Sequence, residues 1–172
     1  AQGSVTEMEF EKTHPIEGLG RATPPHLDVE LSADMPLAIE SKFTETYHRK
    51  TRRSNAVTHL DRYLASNDIW NGMPHVKALA EDMVQQSGAR TDFEYLDAPQ
   101  LIKHVLGLQC AYGGKFTLLY LWYRVDSDEA RQHERELADV SARMGNDVTF
   151  RTMTYQVLFD RLTQVRDVDP AY

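Results

Sequence analysis

Cysteine is nearly absent. Among 172 residues there is one, Cys110, which excludes an internal disulfide and any zinc site built from several thiolates. Its expected role is that of a small buried hydrophobe. Long apolar runs are also missing. The longest, Phe116 to Tyr123, is strand-sized and far short of the roughly 20 residues that span a bilayer. The first residues lack the basic start and apolar stretch of a signal peptide, so a cytoplasmic home is expected. The seven histidines show no His-x-x-x-His spacing, which leaves a metalloprotease without support. Glycine-rich nucleotide loops of either common pattern are missing too.

Positive charge is scarce. Lys plus Arg number 19 against 26 Asp plus Glu, a formal net charge of -7, which does not advertise a nucleic-acid binder. Phosphate contact needs only a local patch, however. The dense one is His48-Arg49-Lys50-Thr51-Arg52-Arg53, and Arg49, Lys50, Arg52 and Arg53 are its candidate phosphate contacts. A solvated loop or helix start explains the same run equally well.

The rest of the composition is that of a globular chain, 41% hydrophobic and 26% charged, of a length that suits one domain over 1–172. Val5 to Lys12 alternates, with Thr6, Met8 and Phe10 on one side and Val5, Glu7, Glu9 and Glu11 on the other, which predicts a strand with one wet face. A loop rich in proline and glycine follows. Leu27–Leu31 and Leu37–Phe43 flank the turn Ser32–Pro36 and predict a hairpin. Helical spacing then dominates. Val57, Leu60 and Leu64 share a face, and so do Val76, Leu79, Ala80 and Met83 behind Pro74. Asp97 predicts an N-cap for a helix burying Leu101, Ile102, Val105 and Leu108. Phe116–Tyr123, apolar on both faces, predicts a central strand. Ser127 opens a helix that stops at Gly145. Val148–Thr152 predicts a last strand, and Tyr155, Leu158, Phe159 and Leu162 a closing helix. The fold class is therefore α/β, a mixed sheet flanked by helices.

Candidate chemistry sits on the hairpin. Residues two apart on a strand face the same way, so Glu40 and Lys42 project together. Asp28 and Glu30 share a face on the neighbouring strand, and the hairpin register decides whether Asp28 lies beside Glu40. Carboxylates converging in this way suit Mg²⁺ or Mn²⁺, which keep waters that substrate phosphates can displace. Asp28 and Glu40 would hold the ion with the Ser41 carbonyl, while Lys42 would orient water and offset charge on the phosphate. The same residues also suit a surface hairpin with a cross-strand ion pair worth little. Glu30, Glu45 and Gln100 are possible additions, the last sharing a helix face with His104.

The run Pro25-His26-Leu27-Asp28-Val29-Glu30, a turn, and Leu37-Ala38-Ile39-Glu40-Ser41-Lys42-Phe43 resembles the signature of the PD-(D/E)XK nuclease superfamily, the restriction endonuclease-like proteins. The pattern is an acid on one strand, a short gap, Glu-x-Lys on the next, then a helix and a further core strand, here Phe116–Tyr123. The resemblance covers about Val5 to Tyr123 and implies a restriction endonuclease-like core and Mg²⁺-dependent endonucleolytic cleavage of DNA. It assigns Asp28 and Glu40 as metal ligands and Lys42 as the catalytic lysine. His26 and Leu27 separate the motif's proline from its acid. The superfamily usually places a helix before the first core strand, and this chain offers little room for one, so a partner protein is expected to supply it unless it is lost or replaced. A homodimer is a further expectation, since cutting both strands commonly takes two sites. The alternative is a nucleic-acid-binding or assembly module that kept the fold without the catalysis.

Overall fold

The structure, a computed structural model, describes residues 4–16, 24–50, 57–85 and 93–165. Five strands form one sheet in the order β1-β2-β3-β4-β5, namely β1 (Glu7–Thr13), β2 (His26–Ser32), β3 (Leu37–Lys42), β4 (Thr117–Trp122) and β5 (Thr149–Thr154). The first three are antiparallel. The steps to β4 and β5 are parallel and cross over through helices, as a mixed sheet requires.

The helices are α1 (Val57–Leu64), α2 (Pro74–Gln85), α3 (Ala98–Tyr112), α4 (Asp128–Met144) and α5 (Tyr155–Leu162). Their ends follow from local chemistry. The Asp97 carboxylate accepts from the Gln100 N–H, and Gly113, at φ 58°, closes α3 in the left-handed conformation that glycine adopts without strain. Ser127 caps α4 by accepting from the Ala130 N–H. α3 and α4 connect successive steps in one direction along the sheet, so right-handed crossovers set both on the same face. That face carries Ala38, Leu118, Tyr120, Trp122 and Phe150, all buried. They form one core with the apolar sides of α2, α3 and α4. The α3 backbone comes so close to the chain before β2 that a Cβ on Gly107 would lie 2.7 Å from the His14 carbonyl oxygen.

Three expectations need correction. Met8 and Phe10 are 56% and 66% exposed, so the apolar side of β1 is not its covered side. Glu11 adopts φ 52°, a conformation costly for a residue with a Cβ. It breaks the alternation, so that Glu9 and Lys12 both turn inward and bond each other. The closing helix α5 forms where expected but buries none of its residues, because it packs chiefly on the end of β5, an edge strand. Cys110 is exposed rather than buried. It lies in the last turn of α3, where Tyr112 is the side chain turned inward.

Candidate active site

The site forms where the β2–β3 hairpin opens. Its ladder runs from Leu31↔Leu37 to Val29↔Ile39 and ends there. Beyond that point the Ser41 N–H donates to Asp28 Oδ2 at 2.6 Å. A side-chain carboxylate thus takes the place that a continuing strand would have filled with a carbonyl. Asp28 is thereby fixed beside the Glu40-Ser41-Lys42 end of β3. The Ser41 hydroxyl, on the opposite side of the strand, lies 2.6 Å from the Tyr155 hydroxyl at the start of α5.

Glu40 is 1% exposed. Its Oε1 lies 2.6 Å from Lys42 Nζ, and its Oε2 lies 3.2 Å from His104 Nε2 of α3. The second approach is close but poorly aimed: Oε2 and both His104 ring nitrogens make no directed hydrogen bond. Burial pushes the Glu40 carboxyl up, yet His104 and Lys42 outweigh it and hold the group below its ordinary value. Burial pushes Lys42 down, and Glu40 with Asp28 more than reverses that. Both members of the pair therefore stay charged. Asp28 differs, since burial raises it, the Ser41 N–H only partly offsets that, and the Glu40 charge adds to the rise.

Lys42 also lines a small pocket with Glu45, Lys50, Tyr95, Gln100 and Tyr120. Glu45 Oε2 accepts from the Phe43 N–H at 2.9 Å, which holds its carboxylate near Lys42. The pocket wall at 94–96 is clamped by Glu136 of α4, buried and accepting from the N–H groups of Glu94, Tyr95 and Leu96 at 2.8, 2.9 and 2.8 Å. Asp28, Ser41, Glu40 and Lys42 are thus brought together, with Glu45, Lys50 and Gln100 alongside. Arg49 is engaged by Glu94, at 2.7 Å, and donates to the Tyr95 hydroxyl, at 3.4 Å. Arg52 and Arg53 lie outside the described residues.

Glu30 is not brought in. It is 0% exposed and bonded to Lys12 at 2.8 Å, His14 at 2.7 Å and Tyr112 at 2.5 Å. Burial and Glu30 together push the Tyr112 hydroxyl up to about 12. With both oxygens engaged, Glu30 holds β1, β2 and α3 together.

Sequence reasoning gave no role at this site to Tyr155 or Glu136 and set His104 aside as structural. Tyr155 and Glu136 reach their partners over 114 and about 40 residues of chain, beyond any local pattern. For His104 there was a signal, a histidine on the apolar side of a helix, which needs a polar partner when buried.

The oxygen set fits a hard divalent cation. Asp28 keeps Oδ1, Glu40 keeps the unbonded Oε2, and the Ser41 carbonyl directly follows Glu40 in the chain. One or two carboxylates plus water and substrate are the usual Mg²⁺ environment. Among the described residues no group of three or more His, Cys, Asp or Glu side chains converges as a metal cage. Any ion here would therefore depend on two carboxylates.

A five-stranded mixed sheet flanked by helices is a restriction endonuclease-like architecture. The family model described as "Restriction Endonuclease associating with ARP" matches residues 1–170, and the chain belongs to that family. Comparison with curated proteins gave no match, and neither did comparison with solved structures.

Proposed function

We infer that the protein is a Mg²⁺- or Mn²⁺-dependent DNA endonuclease of the PD-(D/E)XK type. The observation that carries this reading is the buried Glu40 carboxylate, paired with Lys42 on one oxygen and left without a directed bond on the other, beside Asp28. Membership of a restriction endonuclease-associated family supports it. A divalent cation, when bound, would neutralise the scissile phosphate and make an attacking water more acidic.

The chain's own residues have separable tasks. Asp28 and Glu40 would hold the cation between them, and the Ser41 N–H keeps the Asp28 carboxylate in position. Lys42, kept protonated by Glu40, offsets the charge that builds on the phosphate and orients water. Lys50, at the pocket next to Lys42, extends positive charge along a bound backbone. The α3 layer and Tyr120 exclude bulk water, which strengthens each of these interactions.

A second reading is a binding or assembly module that kept the fold. The two-carboxylate site favours it, and so does a family description that names association with ARP. Association with another protein belongs to both readings. Nicking of supercoiled plasmid in Mg²⁺ or Mn²⁺ separates them. Metal-dependent nicking that disappears in Lys42→Ala supports the nuclease, while equal activity in wild type and variant rules this site out.

A further inference from the structure

Each parallel strand runs out into an aromatic residue. Phe43 follows β3, Tyr123 follows β4 and Tyr155 follows β5. The Phe43 ring stacks on the other two, and Phe159 of α5 extends the row beyond Tyr155. Along Tyr123–Phe43–Tyr155–Phe159 the centroids step by 6.4, 4.5 and 6.1 Å, and neighbouring planes differ by 19, 26 and 34°. The wider steps are offset contacts, which leave ring surface uncovered. Tyr123, Phe43 and Phe159 are 42, 51 and 58% exposed.

The frame beneath the rings is fixed. The Tyr123 N–H donates to the Lys42 carbonyl at 2.9 Å, and the Tyr47 hydroxyl donates to the Tyr123 carbonyl. Glu45 holds the Phe43 N–H. The Gln156 side chain bonds the N–H and the carbonyl of Arg124 at 3.3 and 2.7 Å, which ties the end of β4 to α5. Rings held this way lose little freedom when a ligand settles on them.

We propose that this row is a stacking platform for unpaired bases of the strand that enters the site, so that the substrate is single-stranded beside the scissile phosphate. The inference rests on the phosphodiesterase reading. Two observations choose a base as the occupant. Exposed, near-parallel rings match the flat faces of bases and accept any of them, whereas an apolar protein segment is held by a groove. The row is also continuous with the site. Phe43 directly follows Lys42, and Tyr155 bonds Ser41 between Glu40 and Lys42. A phosphate at Lys42 therefore brings the adjoining nucleotide within reach of the rings. The carboxyl ends of the strands are where open α/β sheets take their ligands.

Fluorescence anisotropy in EDTA, with a short labelled single strand and a blunt duplex of equal length, tests it. The single strand is expected to bind about 10-fold tighter than the duplex. Phe43→Leu and Phe159→Leu keep an apolar side chain but remove the ring. Each should weaken single-strand binding about 10-fold, and Phe43→Trp should keep it. Both positions are exposed, so the fold tolerates the changes, which thermal melting checks. Equal affinity for the two DNAs overturns the proposal. So does single-strand binding that survives both leucines, or a wild type that binds neither DNA, which leaves the row to a protein partner. Plasmid nicking without ring-dependent binding sinks the platform alone. Ring-dependent binding without nicking upholds the platform and sinks the nuclease reading.

Discussion

Two glutamates lie buried on neighbouring rows of the same sheet face, and they are used differently. Glu30 is surrounded by Lys12, His14 and Tyr112 and has both oxygens engaged. Glu40 has Lys42 on one oxygen, while the other approaches His104 without a directed bond. Burying a carboxylate is costly in either case. Where the cost is met by a full set of partners, the group ties the fold together. Where an oxygen stays short of a partner, the fold keeps it available for something else. On this reading Glu30 stabilises the fold and Glu40 works for the site.

That contrast can be broken most visibly by activity. Glu40→Gln and Lys42→Ala are each expected to lower plasmid nicking by about 10²–10³-fold. Glu30→Gln, assayed below its melting temperature, should retain it. Stability should give the reverse ranking. Glu30→Gln leaves Lys12 and His14 facing a neutral amide and should cost about 3 kcal/mol in denaturant unfolding. Glu40→Gln, beside a lysine that still reaches water, should cost about 1 kcal/mol. Equal losses would erase the distinction.

A third buried polar group on this face sharpens it through pH. His133, between the Tyr120 and Trp122 rings, has neither ring nitrogen bonded, and burial lowers its pKa to about 4. Below the ordinary 6.5 the unfolded chain takes up a proton that the folded chain refuses. Stability therefore falls as pH drops from 6.5 toward 4, by about 3 kcal/mol in full. His133→Phe should remove that part of the acid sensitivity, as read from denaturation midpoints across the same window. Glu30 and Glu40, both held below their ordinary 4.5, act at lower pH. Their stabilisation is complete above 4.5 and lost as pH falls through their folded values. The smallest effect concerns Asp28, whose pKa burial raises above 3.8. Its charge weakens the fold at neutral pH, and that cost is relieved as pH falls through the raised value to 3.8. Asp28→Asn should accordingly raise the neutral-pH melting temperature slightly while abolishing metal-dependent nicking.

The sheet and helix order was legible because its signals are local. The short runs Leu27–Leu31 and Leu37–Phe43 gave β2 and β3, the turn between them gave the hairpin, and Asp97, Ser127 and Gly145 marked helix ends that the structure shows. Parity alone put Glu40 and Lys42 on one side of β3. The register that sets Asp28 beside them was not legible, because it depends on where the hairpin ladder stops. The covered side of β1 was misread because Glu9 turns inward to a charged partner, Lys12, on the far side of a break in the alternation at Glu11. A glutamate gives no local hint of a positive φ. The partners of Glu30 were hidden for a different reason, since Tyr112 is 82 residues away and no spacing rule reaches so far. α5 reads as amphipathic, but its burial depends on whether anything lies over the sheet face it adjoins.

The central claim is that the carboxylate left short of partners, and not its saturated neighbour, belongs to a metal site. Mn²⁺ binding followed by electron paramagnetic resonance tests it directly, on wild type, Glu40→Gln and Glu30→Gln proteins of verified fold. One Mn²⁺ site is expected in the wild type, lost in Glu40→Gln and kept in Glu30→Gln. Mn²⁺ binding that survives Glu40→Gln, or that is absent from the wild type, would contradict it.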